Sequence, residues 1–216
     1  MNLLQSQRLN DWPLFYLIFM VNSIVVIAYL PTQNLSSPHG ISEMIQLTIR
    51  LCVPLLFLAF ASSSIAPHVP KTLRQWLIRN RRYYGLGFAA GMGWQLVFIF
   101  WLLFAHPDYF ADSVYLSFKD FLIYRLGPYI FLVVMTITSF FPVRRKMNPK
   151  VWKVIHWIGI YYLWYDVELT YWEEITLYND RQIIDYVYVT LGGLAYLARV
   201  AEWSRIRFKK LRKQVG

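Results

Sequence analysis

The chain has 216 residues, 57% of them hydrophobic and only 16% charged, against about 25% charged in an ordinary soluble domain. Its 22 basic and 12 acidic residues leave a formal net charge of +10. The single cysteine, Cys52, excludes an internal disulfide, a paired-cysteine haem attachment, an iron–sulfur cluster and a cysteine zinc site, and no phosphate-binding glycine motif or internal repeat is present.

The apolar residues fall into blocks of roughly 18 to 24, the length that crosses ~30 Å of hydrocarbon at ~1.5 Å per residue. They predict an all-α integral membrane protein, a six-transmembrane-helix bundle forming one domain over residues 1–216, with spans at 12–30, 41–63, 83–105, 119–142, 152–172 and 184–203. Only Arg8 precedes the first span among basic residues, and the span ends at "AYLPTQN" without a small-residue cleavage pattern. It therefore reads as a membrane helix, not a signal peptide. The second span carries Arg50 well inside it and is followed by the basic link "KTLRQWLIRNRR" within residues 64–82.

The third span places Gly87, Gly91 and Gln95 at successive steps of four, along one helical stripe. Small residues so spaced let a neighbouring backbone approach closely, and they would equally leave a slot for a flat macrocycle. Gln95 at mid-depth is expected to hydrogen-bond between helices. The fourth span carries Arg125, and after it comes "VRRKMNPKVWK", again basic. The fifth carries His156 near its start and Asp166 and Glu168 near its end. Arg50, Arg125, Asp166 and Glu168 have similar expected depth toward the outer side, and their charges balance, so they predict an internal ion-pair cluster. Arg199, near the inner end of the sixth span, is expected to snorkel, and a basic tail follows at 204–216.

Most of the basic residues lie in the two links and the tail, whereas the opposite connections, "HPDYFADS" and "EEITLYNDRQIID", are acidic. With six spans, all the basic segments fall on one side, so both termini are expected in the cytoplasm. The positive charge is thereby explained by topology and membrane lipid, and gives no reason to invoke nucleic acid. The links are too short to house a soluble catalytic domain, so function must lie in the bundle or come from a partner.

Three segments in order carry a resemblance. "RRYYGLGFAAGMGWQ", "RLGPYIFLVVMTITS" and "VWKVIHWIGIYYLWY" resemble the third, fourth and fifth helices of the ferric reductase-like transmembrane superfamily, in particular the haem-binding membrane subunits of periplasmic methionine sulfoxide reductase systems. The resemblance covers roughly residues 79–170 and implies a bacterial inner-membrane location. It also implies haem b held by His156, with Gly87, Gly91 and Gln95 at the macrocycle. Relatives have histidines where this chain has Gln95 and Leu169, so one ligand of the expected set remains. Three readings follow: a one-haem electron-transfer subunit needing a redox donor and acceptor; a non-redox membrane subunit that has lost haem and works by binding a partner; and a small transporter built on the Arg50, Arg125, Asp166 and Glu168 cluster.

Overall fold

In the computed structural model, residues 4, 6–112, 126–177 and 182–215 are described, and these contain helices and no strand. Eight α-helices follow in order: α1 (Asp11–Tyr29), α2 (Pro38–Ile65), α3 (Lys71–Ala105), α4 (Pro107–Asp112), α5 (Leu126–Ser139), α6 (Phe141–Lys146), α7 (Pro149–Leu177) and α8 (Ile183–Val215). Hydrocarbon offers no water to an open backbone, so segments this apolar must satisfy their N–H and C=O groups internally. The breaks fall at prolines, after α1 at Pro31 and after α2 at Pro67. Ser37 caps α2, its Oγ accepting from the Gly40 N–H at 3.2 Å, with Pro38 at the first helical position.

Among the described residues, four helices are long and apolar enough to cross a membrane: α1 with the turn after it, α2 with its turn, α3 and α8 as far as Arg212. Six spans were expected, and the other two differ for separate reasons. Of the fourth, residues 119–125 lie outside the described residues, and the remainder is the apolar helix Leu126–Ser139 of 14 residues. The fifth, α7, has 29 residues, but tryptophans, tyrosines, Asp166 and Glu168 replace aliphatic side chains over much of its length. Helix α3 also exceeds expectation. It runs 35 residues, or about 52 Å, so "KTLRQWLIRNRR" is a helical extension and not a loop.

The largest helix contact is α2 on α3. It closes on the glycine stripe. A methyl at Gly91 would run into the Cβ of Cys52, and one at Gly87 would sit 2.8 Å from Ile18 of α1 and 3.2 Å from Leu55 of α2. Around this contact lies a core of Leu56, Phe60, Tyr84, Phe88, Met92, Leu163 and Val167. Helix α1 is apolar on every side, and Tyr16, Met20, Ile24 and Ile27 are exposed on it, as a lipid-facing helix requires.

The N-terminal segment is tied to the basic end of α3. Asn80, wholly buried, accepts from the Asp11 N–H at 2.9 Å and donates to Asn10 Oδ1 at 3.0 Å, and Trp76 donates to the Leu9 carbonyl at 2.9 Å. His68, just before α3, lies 3.4 Å from Glu202 of α8. Residues near both chain ends therefore sit at the end of the bundle that carries the α2–α3 link.

Two glycines on α3 give opposite expectations. Gly91→Ala should lower stability by about 1–3 kcal/mol, because Cys52 leaves the methyl no room. Gly93→Ala meets nothing within 4 Å and should be neutral or gain up to about 1 kcal/mol of helix propensity. Thermal unfolding of the two variants in one detergent checks both, and equal effects would remove the close-contact account of the stripe.

Candidate functional site: a basic cavity at one end of the bundle

Six helices converge on a cavity of about 490 Å³. The C-terminal part of α2 contributes Leu56 and Ala59, and the start of α3 contributes Ile78, Arg81, Arg82, Gly85 and Phe88. Leu132, Met135, Thr136 and Ser139 come from α5, Trp152, Lys153, His156, Trp157, Ile160 and Leu163 from α7, and Arg199 from α8. Arg144 of α6 completes the lining. Five cationic side chains thus face one space that no carboxylate among the described residues lines. None of the five forms an ion pair among the described residues.

The acids at this end are held by other cations. Asp11 accepts from Arg79 Nε at 2.9 Å, and Glu202 accepts from Arg205 at 2.7 Å. The cavity cations instead use carbonyls and ring faces. Arg81 Nε donates to the Ala59 carbonyl at 2.8 Å. The Arg199 guanidinium lies 4.4 Å from the Phe60 ring and 4.6 Å from the Tyr161 ring, and Arg144 lies 4.5 Å from Trp152. Arg199 was expected to snorkel outward, but the aromatic pair keeps it in the bundle.

His156 has a definite hydrogen-bond role. Its Nε2 is hydrogen-bonded to Thr138 Oγ1 at 3.0 Å, and the same hydroxyl lies 2.7 Å from the Val134 carbonyl. Trp152 donates to the Thr138 carbonyl at 3.0 Å and packs 4.3 Å from the imidazole. These contacts stitch the end of α5 to the start of α7.

The other residues expected at a macrocycle lie elsewhere. Gln95 is buried and accepts from the Tyr129 hydroxyl at 2.7 Å, outside the cavity lining, as are Gly87 and Gly91. Protein atoms of α1 and α2 fill the space beside the two glycines. Neither glycine therefore borders an open slot in this arrangement. Leu169 is 38% exposed on the bundle surface.

Of the four residues expected in a charge cluster, Arg50 is paired with an acid from outside that set. Arg50 Nη2 lies 3.9 Å from Asp185 Oδ1, a residue the sequence placed in the acidic outer connection. Asp185 is buried at the start of α8, where it also accepts from the Gln182 N–H at 2.9 Å. Glu168 packs on Gly192 of α8, and its Oε2 is buried with no hydrogen-bond partner among the described residues. The half-buried Asp166 is one turn from Thr170, whose hydroxyl donates to its backbone carbonyl at 2.9 Å. Arg125 lies outside the described residues.

Near Arg50 the backbone shows why α8 docks where it does. Pro54 has no N–H, so the carbonyl of Arg50, four residues earlier, loses its helical donor. The Tyr188 hydroxyl supplies one at 2.7 Å. Neither this bond nor the convergence of the five cations had a signal in the sequence. The cations read as topology alone, and a proline in an apolar span does not name the side chain that will serve its orphaned carbonyl.

Fold and site together define a helical bundle with membrane-length helices and a cation-lined cavity at one end. No protein-family model, no curated protein and no solved structure matches the chain.

Removing the Tyr188 hydroxyl should cost about 1–3 kcal/mol, because the buried Arg50 carbonyl loses its donor. In a Pro54→Ala background the helix regains the N–H and the cost should fall to within about 0.5 kcal/mol of zero. A double-mutant cycle by thermal unfolding checks this, and an undiminished cost in that background would contradict it.

Proposed function

We infer that the protein is a six-span membrane protein that acts by binding, not by electron transfer, with its basic cavity at the cytoplasmic face. The observation that carries this reading is the state of His156. The side chain that the resemblance would assign to iron has its Nε2 engaged with Thr138 at 3.0 Å and lines a cavity of cations without ion-pair partners among the described residues. A redox carrier needs axial ligands aimed at a cofactor, and the residues at the other ligand positions are a glutamine bonded to Tyr129 and a surface leucine.

The six-span reading is supported by the four long apolar helices, by the apolar α5, and by α7, which at 29 residues is about 43 Å long. The segments at the cavity belong to the C-terminal parts of α2 and α5, to the N-terminal halves of α3 and α7 and to the middle of α8, an alternation that suits an up-and-down bundle. Basic residues at that end assign it to the cytoplasm, with both termini there. The chain then works as a membrane-embedded binding subunit, its ligand or partner recognised by positive charge.

Protein expressed with ample haem and purified in mild detergent should be folded and colourless, with no change in its absorption spectrum on adding dithionite. A haem b spectrum at near-stoichiometric occupancy, abolished by His156→Ala, would overturn the reading.

A further inference from the structure

The cavity's chemistry narrows what it binds. A guanidinium in contact with an aromatic ring has its face satisfied but not its N–H edge. Arg199 Nη1 and Arg82 Nε are both buried without a hydrogen-bond partner among the described residues. Buried polar hydrogens are rarely left this way, and buried cations still less, because each was stripped of water without compensation. The neighbouring carboxylates cannot help, being paired with Arg79, Arg205 and His68. An anion with several acceptor oxygens would satisfy these groups together, and planar guanidinium forks match phosphate oxygens best.

The remainder of the lining is apolar. Leu56, Phe88, Leu132, Met135, Ile160 and Leu163 form a surface that a small hydrated ion would leave unused. The mouth is apolar as well, since Ile78 and Trp157 line the cavity while being 53% and 59% exposed on the side of the bundle. A volume of about 490 Å³ holds a headgroup and the first methylenes, not a whole two-chain lipid, so the tails would remain in the bilayer. The basic end of a membrane protein faces the leaflet that carries anionic lipid.

We propose that the cavity binds one phosphate-headed amphiphile of net negative charge, its phosphate held by Arg81, Arg82 and Arg199 and its chain leaving past Ile78 and Trp157. This rests on the reading that the cavity lies at the cytoplasmic face of a membrane. Lys153 and Arg144 stand at the exposed rim and draw the headgroup in, and the Trp152 and His156 pair forms one wall. His156 contributes a polar wall held by Thr138.

The test uses the full chain, delipidated in a non-ionic detergent. Phosphatidylglycerol, phosphatidylcholine and inorganic phosphate are titrated in parallel, with binding read by native mass spectrometry and by the unfolding temperature. Phosphatidylglycerol should bind at one molecule per chain, about tenfold or more tighter than phosphatidylcholine, and raise the unfolding temperature. Inorganic phosphate should not reproduce the rise.

The Arg81→Gln, Arg199→Gln double variant should weaken phosphatidylglycerol binding about tenfold or more. Lys209→Gln with Lys210→Gln removes as much charge from the tail and should change binding by less than about twofold. If the cavity variant does not fold, Lys153→Gln at the exposed rim replaces it, with a loss of about threefold expected.

Equal affinity for the two lipids, full stabilisation by phosphate alone, or an equal loss in the tail variant would each overturn the proposal. A colourless protein indifferent to phosphatidylglycerol would remove the amphiphile and leave the binding reading intact. A haem b spectrum in the same preparation would remove the functional reading itself.

Discussion

The close approach of α2 to α3 is the constraint on which the rest of the bundle depends. In hydrocarbon there is no hydrophobic drive to pair two helices, so association rests on how closely their surfaces pack. Gly91 against Cys52 brings the two backbones together, and Gly87 admits Ile18 of α1 on the same stripe. From that contact the buried aromatic side chains Phe60 and Phe88 extend toward α7 and α5. Phe60 stacks on Trp164 at 5.5 Å between ring centres, and Trp164 stacks in turn on Tyr196 of α8 at 4.8 Å. Helix α7 is held in the bundle by this aromatic chain and by the Trp164 bond to the Gly192 carbonyl at 3.0 Å.

The second organising feature is charge. Positive residues collected at one end fix orientation in a membrane, but convergence of six helices also concentrates them around one space. Like charges without acids repel, and ring faces offset only part of that cost. The opposite end is arranged differently: Arg50 has Asp185, and the Tyr188 hydroxyl repairs the backbone that Pro54 interrupts. At one end a half-buried cation has its acid, and at the other the cations have none among the described residues.

Much of this architecture was legible in the sequence. Apolar blocks of spanning length gave an all-helical membrane bundle, and the stripe of Gly87, Gly91 and Gln95 marked a close helix contact and an interhelical hydrogen bond, to Tyr129. Residue spacing could not say whether the glycines made a slot or a contact, because both need missing side chains. Cys52 decides for contact. The cavity was not legible, since each of its arginines and Lys153 is accounted for separately by topology and nothing local says they meet. Asp185 was missed for the same reason. It stands in an acidic connection and reads as solvated, yet the turn into α8 buries it beside Arg50.

The central claim is that the cation-lined cavity and the acidic connections lie on opposite faces of a membrane. Cys52 is fully buried, so it should be silent toward a membrane-impermeant maleimide, and introduced cysteines report alone. Lys153→Cys at the cavity rim and Asp108→Cys at the start of α4 are the two positions to label in sealed vesicles of known orientation. The account predicts that Asp108→Cys is modified only from the outer side and Lys153→Cys only from the cytoplasmic side. Labelling of both from the same side would contradict it, because α3 and α7 could not then join opposite faces.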